Sequence, residues 1–234
     1  MYFPTITLTI SLSAALIPLA TLITGTPSPS HLERRKHHDE GPPLNFVYIM
    51  RQDIDYSDPE AHLDVYAEDG TVAYQFVKKT LDPQKGVSTA ELTTGDSDLV
   101  FNLDSTDDAC GHDSVYEERE GTGSQTRRVE IYPRGPLKDV WRLNYFDSDG
   151  VRRNFKFNRG FSDKGGSIYT QVDGHDGDLI AELKNEKRKD SWLTDDDDSK
   201  GVSTLTLFCA EDSPRELLIA FMGIGLSRVN ECGL

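Results

Sequence analysis

Nucleophilic catalysis needs a hydroxyl or thiol with a base within hydrogen-bond reach. Beyond residue 43 the chain offers only His62, His112 and His175 as histidine bases. Each falls in or beside a turn signal, and no G-x-S-x-G elbow occurs. Cys110-Gly111-His112 sets a thiol near an imidazole, but nothing nearby in sequence would orient that base. Calcium chemistry would need a ring of oxygen ligands. Asp147-Ser148-Asp149-Gly150 opens like such a loop, yet the twelfth position, where a bidentate Glu belongs, is Asn158. The run Asp195 to Asp198 reads as a solvated loop of like charges, and His37-His38 as a solvated pair in a linker. No catalytic residue, metal site or cofactor is assigned.

The thiols are Cys110, Cys209 and Cys232. Three are too few for a disulfide scaffold, and no C-x-x-C spacing suggests zinc. In an exported chain one bridge and one spare thiol are expected, with three pairings open. Cys209 closes the last predicted strand and Cys232 follows the last helix, so a Cys209–Cys232 bridge would staple that helix to the sheet.

Charge narrows the partners. The 234 residues carry 25 Lys+Arg against 40 Asp+Glu, a formal charge of −15. A phosphate-facing surface needs positive excess, so nucleic acid is excluded and nonspecific adhesion to anionic membranes is disfavoured. The acid serves solubility. No N-x-S/T sequon is present to add a glycan.

The elements that would position any site begin after two segments of another kind. Residues 2–25 contain no charged side chain and read as a signal peptide with a small residue near the cut. The positive charge follows the segment, in Arg34, Arg35 and Lys36, so an uncleaved segment would anchor the domain on the cytoplasmic side. Its hydroxyls and Pro18 make it a poor anchor. Residues 26–43 form a basic, Pro- and Ser-rich linker, in which Arg34-Arg35 resembles a dibasic processing site.

From residue 44 to 234 the pattern alternates with period two. Strands are expected near 44–51, 63–67, 71–78, 87–93, 98–103, 127–133, 138–145, 151–158, 166–172, 178–184 and 202–209. Val72, Tyr74 and Phe76 share a face, as do Leu99, Phe101 and Leu103, and Trp141, Leu143 and Tyr145. The Asp-Gly pairs at Asp69, Asp149 and Asp173 mark tight hairpins. GVSTAEL at Gly86 returns as GVSTLTL at Gly201, and DGTVAYQFVKK at Asp69 is echoed by DGVRRNFKFNR at Asp149, as in a barrel of two similar halves.

The end of the chain is different. Ser213-Pro214-Arg215-Glu216 matches a capping box with Ser213 as N-cap, and Leu217 to Leu226 has no polar residue on any face. Such a helix is buried all round or lies in lipid. Ten residues cover only about 15 Å, half a bilayer core. With no second helix to cover it, the sheet must wrap around it. Gly223 and Gly225 would let strands approach closely.

A curved antiparallel sheet closed on an apolar C-terminal helix resembles the Tubby C-terminal-like superfamily, which includes Tubby proteins, LURP-one-related proteins and phospholipid scramblases. The resemblance spans 44–234. It is carried by the two Asp-Gly turns leading into aromatic strands (Asp69–Phe76 and Asp149–Phe157), by DGDLIAELK at Asp176, and by RELLIAFMGIGLSRV at the end. It implies a mainly β, closed or nearly closed antiparallel barrel around the helix, with a largely non-enzymatic role. Tubby proteins bind phosphoinositide headgroups through a basic pocket. Here the basic residues are scattered among acids, and Lys78, Lys79, Arg152, Arg153 and Lys156 would meet as an anionic-ligand site only if the two Asp-Gly repeats are equivalent.

The expected function is thus a non-catalytic binding or interaction module of the secretory pathway. Its partner would be a phospholipid headgroup or a protein, met at the rim or outer face. A lipocalin-like carrier, with an open cavity and the helix outside, is the alternative. A secreted hydrolase is a third reading, disfavoured by the few histidines.

Overall fold

The computed structural model describes residues 41–52, 62–82, 84–109, 112–119, 126–134, 140–160, 165–194 and 200–232, with side chains through Arg228. The leader, nearly all of the linker, Cys110, the four-Asp run and His37-His38 lie outside the described residues.

Alternating β-branched and aromatic residues broken by turn formers yield twelve strands among the described residues. They are β1 (Phe46–Arg51), β2 (Leu63–Ala67), β3 (Val72–Asp82), β4 (Val87–Thr94), β5 (Leu99–Ser105) and β6 (Ser114–Glu118), then β7 (Arg128–Arg134), β8 (Val140–Phe146), β9 (Arg152–Arg159), β10 (Gly166–Val172), β11 (His175–Arg188) and β12 (Val202–Cys209). Every neighbouring pair is antiparallel, and β1 pairs with both β2 and β12, so the sheet closes into a barrel without edges. The helix α1 (Arg215–Cys232) follows β12. It is not long and apolar enough to cross a membrane, nor is any other described helix.

The alternation decides which side chains enter the core. Phe76, Phe101, Leu103, Trp141, Leu143, Phe155 and Phe157 are buried, while Val72 and Leu99 at their strand ends are exposed. β6 was not expected: SVYEE is short and acidic. Its period-two signal is polar, with Ser114, Tyr116 and Glu118 facing in. At the Asp173-Gly174 hairpin both residues take positive φ (50° and 80°), a mirror-image turn whose twist suits the flanking strands.

The helix runs inside the barrel. Leu217 through Ile224, and Leu226, are buried. Gly223 faces Phe76 of β3 so closely that a Cβ there would lie 2.5 Å from the ring. Phe221 packs edge-on against Trp141 of β8 and Phe157 of β9, at 5.8 and 5.5 Å between centroids. β3 and β9 stand six places apart in a ring of twelve, on opposite walls. A helix touching both fills the space between them. The lipocalin-like arrangement, with the helix outside an open cavity, is thereby overturned.

Three local expectations change. Ser213 does not act as the cap: its hydroxyl donates to the Ala210 carbonyl at 2.5 Å, and the first i to i−4 bond runs from the Leu218 N–H to the Pro214 carbonyl. Glu216 instead accepts from the Tyr74 hydroxyl at 3.2 Å, because that phenol is drawn in with the helix and needs an acceptor. Gly225 admits no close strand, since a Cβ built there meets nothing within 4 Å. The two repeats also differ in kind. The Asp69 and Asp149 hairpins precede β3 and β9, half a barrel apart, as two six-stranded halves require. The GVST pair precedes β4 and β12, which that symmetry does not relate. What it shares is a left-handed glycine opening a strand, with φ 69° at Gly86 and 75° at Gly201.

Candidate functional site

The five basic residues expected to meet do not. Lys78 and Lys79 lie on β3, and Arg152, Arg153 and Lys156 on the opposite wall. Strand parity divides them further. Lys78 has the parity of Phe76 and turns inward, leaving 2% of its side chain exposed, while Lys79 points to solvent. Arg153 sits 3.8 Å from Asp147, and Lys156 bonds Asp176 at 2.8 Å. The anionic-ligand site in its expected form is therefore not assembled.

Lys78 belongs to a buried ionic knot at the end of the barrel reached by the helix C-terminus. Its Nζ is 3.0 Å from Asp108 Oδ2, and Asp108 Oδ1 accepts from Arg228 Nη2 at 2.7 Å. The three side chains are 2 to 3% exposed. The Ser88 hydroxyl donates to Asp108 at 2.8 Å, and Arg228 also donates to Ser114 of β6. Burial alone would raise the Asp108 carboxyl, but the Lys78 and Arg228 charges outweigh it and bring it down to about 2. Burial, with Asp108 beside it, drives the Tyr116 phenol up, and its hydroxyl is buried without a hydrogen-bond partner among the described residues. The knot ties β3, the loop after β5, β6 and the helix into one unit. It is a clasp between the helix and the barrel wall.

The wall across from the knot is apolar. Between Phe221, Met222, Gly225 and Leu226 of the helix and Trp141, Phe157, Leu183 and Leu205 of the barrel lies a pocket of ≈ 490 Å³, open mouth included. The inner space open to a water-sized sphere is ≈ 40 Å³, far too little for a carried lipid.

Outside, β8, β9 and β10 present a polar face. Trp141, Leu143, Phe155 and Phe157 point in, so Arg142, Asn144, Arg152, Asn154 and Lys156 point out, with Arg142 opposite Lys156 and Asn144 opposite Asn154. Arg142 is exposed and makes no close ion pair or hydrogen bond among the described residues. Arg152 bonds Asn154 at 2.8 Å and lies over the Phe146 ring at 5.5 Å. Arg142 was missed as a site residue. Its signal was the parity of its strand, which sets it outward beside two of the residues already singled out.

The histidines are exposed: His62, 3.5 Å from Asp64, His112 in the loop before β6, and His175 at the first position of β11. In the calcium-like loop, Asp147 Oδ1 accepts from the Asp149 and Val151 N–H groups, which folds the hairpin. Cys209 is a free, buried thiol pushed up by burial. The expected Cys209–Cys232 bridge is corrected on this point. The 18-residue helix begins beside Cys209 and carries Cys232 roughly 25 Å onward, whereas a disulfide needs Cα atoms within about 7 Å.

The molecule is thus, by its fold, a closed twelve-stranded antiparallel barrel threaded by its own C-terminal helix. No family model matches the chain, and neither a curated protein nor a solved structure matches it.

Proposed function

We infer that this protein is a non-catalytic binding module of the secretory pathway that engages its partner with its outer wall. One observation carries the reading. The helix occupies the barrel interior, where a barrel enzyme or carrier would otherwise hold its ligand. The resemblance to the Tubby C-terminal-like superfamily read from residues 44–234 of the sequence favours a binding role, and the charge-free leader favours export. The face over β8 to β10 is the surface of choice. It offers Arg142 and Arg152 as cations, while Asp176 offsets Lys156, and the Asn144 and Asn154 amides lie between them. That set suits a phosphate-bearing headgroup or an acidic protein segment, read locally because the chain as a whole is strongly acidic.

The test is liposome flotation of the mature protein at physiological salt. Vesicles containing phosphoinositide are compared with neutral ones, using wild type and an Arg142→Gln, Arg152→Gln variant. Retention by the anionic vesicles that falls at least tenfold in the variant is expected. Equal flotation of both proteins, or none on any vesicle, removes the headgroup form of the reading.

A further inference from the structure

The apolar pocket beside the helix differs from a packing defect in what stands at its mouth. Its inner lining is aromatic and aliphatic: Trp141, Phe157, Leu205, Phe221 and Met222. Gly225 leaves the helix side bare, and a Cβ built there finds no atom within 4 Å. A core that merely needed filling would accept any side chain at this position, and alanine would favour the helix. Glycine holds the space open.

Three polar residues meet at the opening: Gln52, just past β1, Arg159, at the end of β9, and Asn185, on β11. Gln52 Nε2 donates to Asn185 Oδ1 at 2.8 Å, which turns the Asn185 amide nitrogen away as a remaining donor. The Arg159 guanidinium has neither an ion pair nor a hydrogen bond among the described residues and is half-buried. A partly desolvated guanidinium and an amide N–H at the rim of a dry slot select an oxyanion attached to an apolar body.

We propose that this slot binds a small amphipathic carboxylate, its apolar end between Phe221 and Leu205 and its carboxylate on Arg159 and Asn185. The inner space limits the buried part to a few carbons, so the ligand is a short acyl or similarly small hydrophobic acid, not a long-chain lipid. The site is independent of the outer face over β8 to β10: none of the residues named there lines it.

The protein is titrated with hexanoate, and Trp141 emission with amide chemical shifts reports binding. Hexan-1-ol serves as the uncharged control. For a ligand of eight heavy atoms a Kd on the order of 1 mM is expected. Hexanol and the Arg159→Gln variant are expected to bind at least tenfold more weakly, while Gly225→Leu fills the slot and abolishes saturation. Arg142→Gln leaves hexanoate binding unchanged. Equal binding of hexanol and hexanoate, an Arg159→Gln protein that binds like wild type, or no saturable response at 50-fold the expected Kd (about 50 mM) overturns the proposal. Should Gly225→Leu fail to fold, Arg159→Gln alone decides.

Discussion

Around the C-terminal half of the helix, two walls of one barrel hold the same element by opposite means. On the side of β3 and β6, Lys78, Asp108 and Arg228 form a desolvated knot, and Phe76 presses on Gly223. On the side of β8, β9 and β12, contact is aromatic and aliphatic, and a slot remains next to Gly225. Ion pairs are directional and tolerate no slippage, because a displaced partner leaves a bare buried charge. Apolar contacts tolerate rearrangement. The knot therefore sets the depth and rotation of the helix, and the apolar wall can afford a vacancy.

The comparison breaks most readily at the knot. Asp108→Asn leaves two buried cations with no anion, and the expected loss is about 3–5 kcal/mol, read from urea midpoints. Replacing the three together (Lys78→Met, Asp108→Leu, Arg228→Met) is expected to return stability to within about 1 kcal/mol of wild type. A triple variant as weak as the single one would mean that the charges contribute more than their mutual neutralisation.

Acid probes the same contact. The Asp108 carboxyl sits at about 2 in the folded chain against 3.8 ordinarily, so its contribution is fully present above roughly pH 5 and lost as pH falls through 2. The shift corresponds to about 2 kcal/mol. Denaturation midpoints at pH 6 and pH 2.5 should therefore differ less in the triple variant than in wild type.

The two glycines sharpen the contrast at lower energy. Gly223→Ala drives a methyl to within 2.5 Å of the Phe76 ring and is expected to destabilise by about 1–3 kcal/mol despite better helix propensity. Gly225→Ala, two residues on, meets open space and is expected to stabilise by up to about 1 kcal/mol. Thermal melts of the pair give opposite signs, and equal signs would erase the distinction between the walls. Smallest in energy is the Cys209 thiol, which is expected to resist maleimide in the native protein and react on unfolding, followed by mass mapping of its peptide.

Much of this was legible in the chain, and the parts that were not share a cause. Alternation placed Phe76, Trp141 and Phe157 inward, and continuous apolarity placed Leu217 to Leu226 in the core. The same alternation, carried two residues past Phe76, pointed Lys78 inward. By residue type it reads instead as one of the candidate anion-binding cations, because lysine is rarely buried without a partner. Its partner lies 30 residues away at Asp108, and Arg228 lies 120 residues beyond that. β6 escaped because its buried face is Ser114, Tyr116 and Glu118, polar residues whose fitness for the interior depends on that knot and on Arg127, which pairs with Glu118.

By itself the sequence determined the local periods: which residues alternate, where the chain turns, and that one short apolar helix must be enclosed. These follow from bond geometry and hydrophobicity and need no knowledge of neighbours. Only the tertiary structure decided that β3 and β9 stand on opposite walls, that the expected basic cluster is divided between them, and that Lys78, Asp108 and Arg228 converge. Closing a twelve-stranded ring determines which distant segments meet, and the energy of a buried charge depends on the partner it meets there.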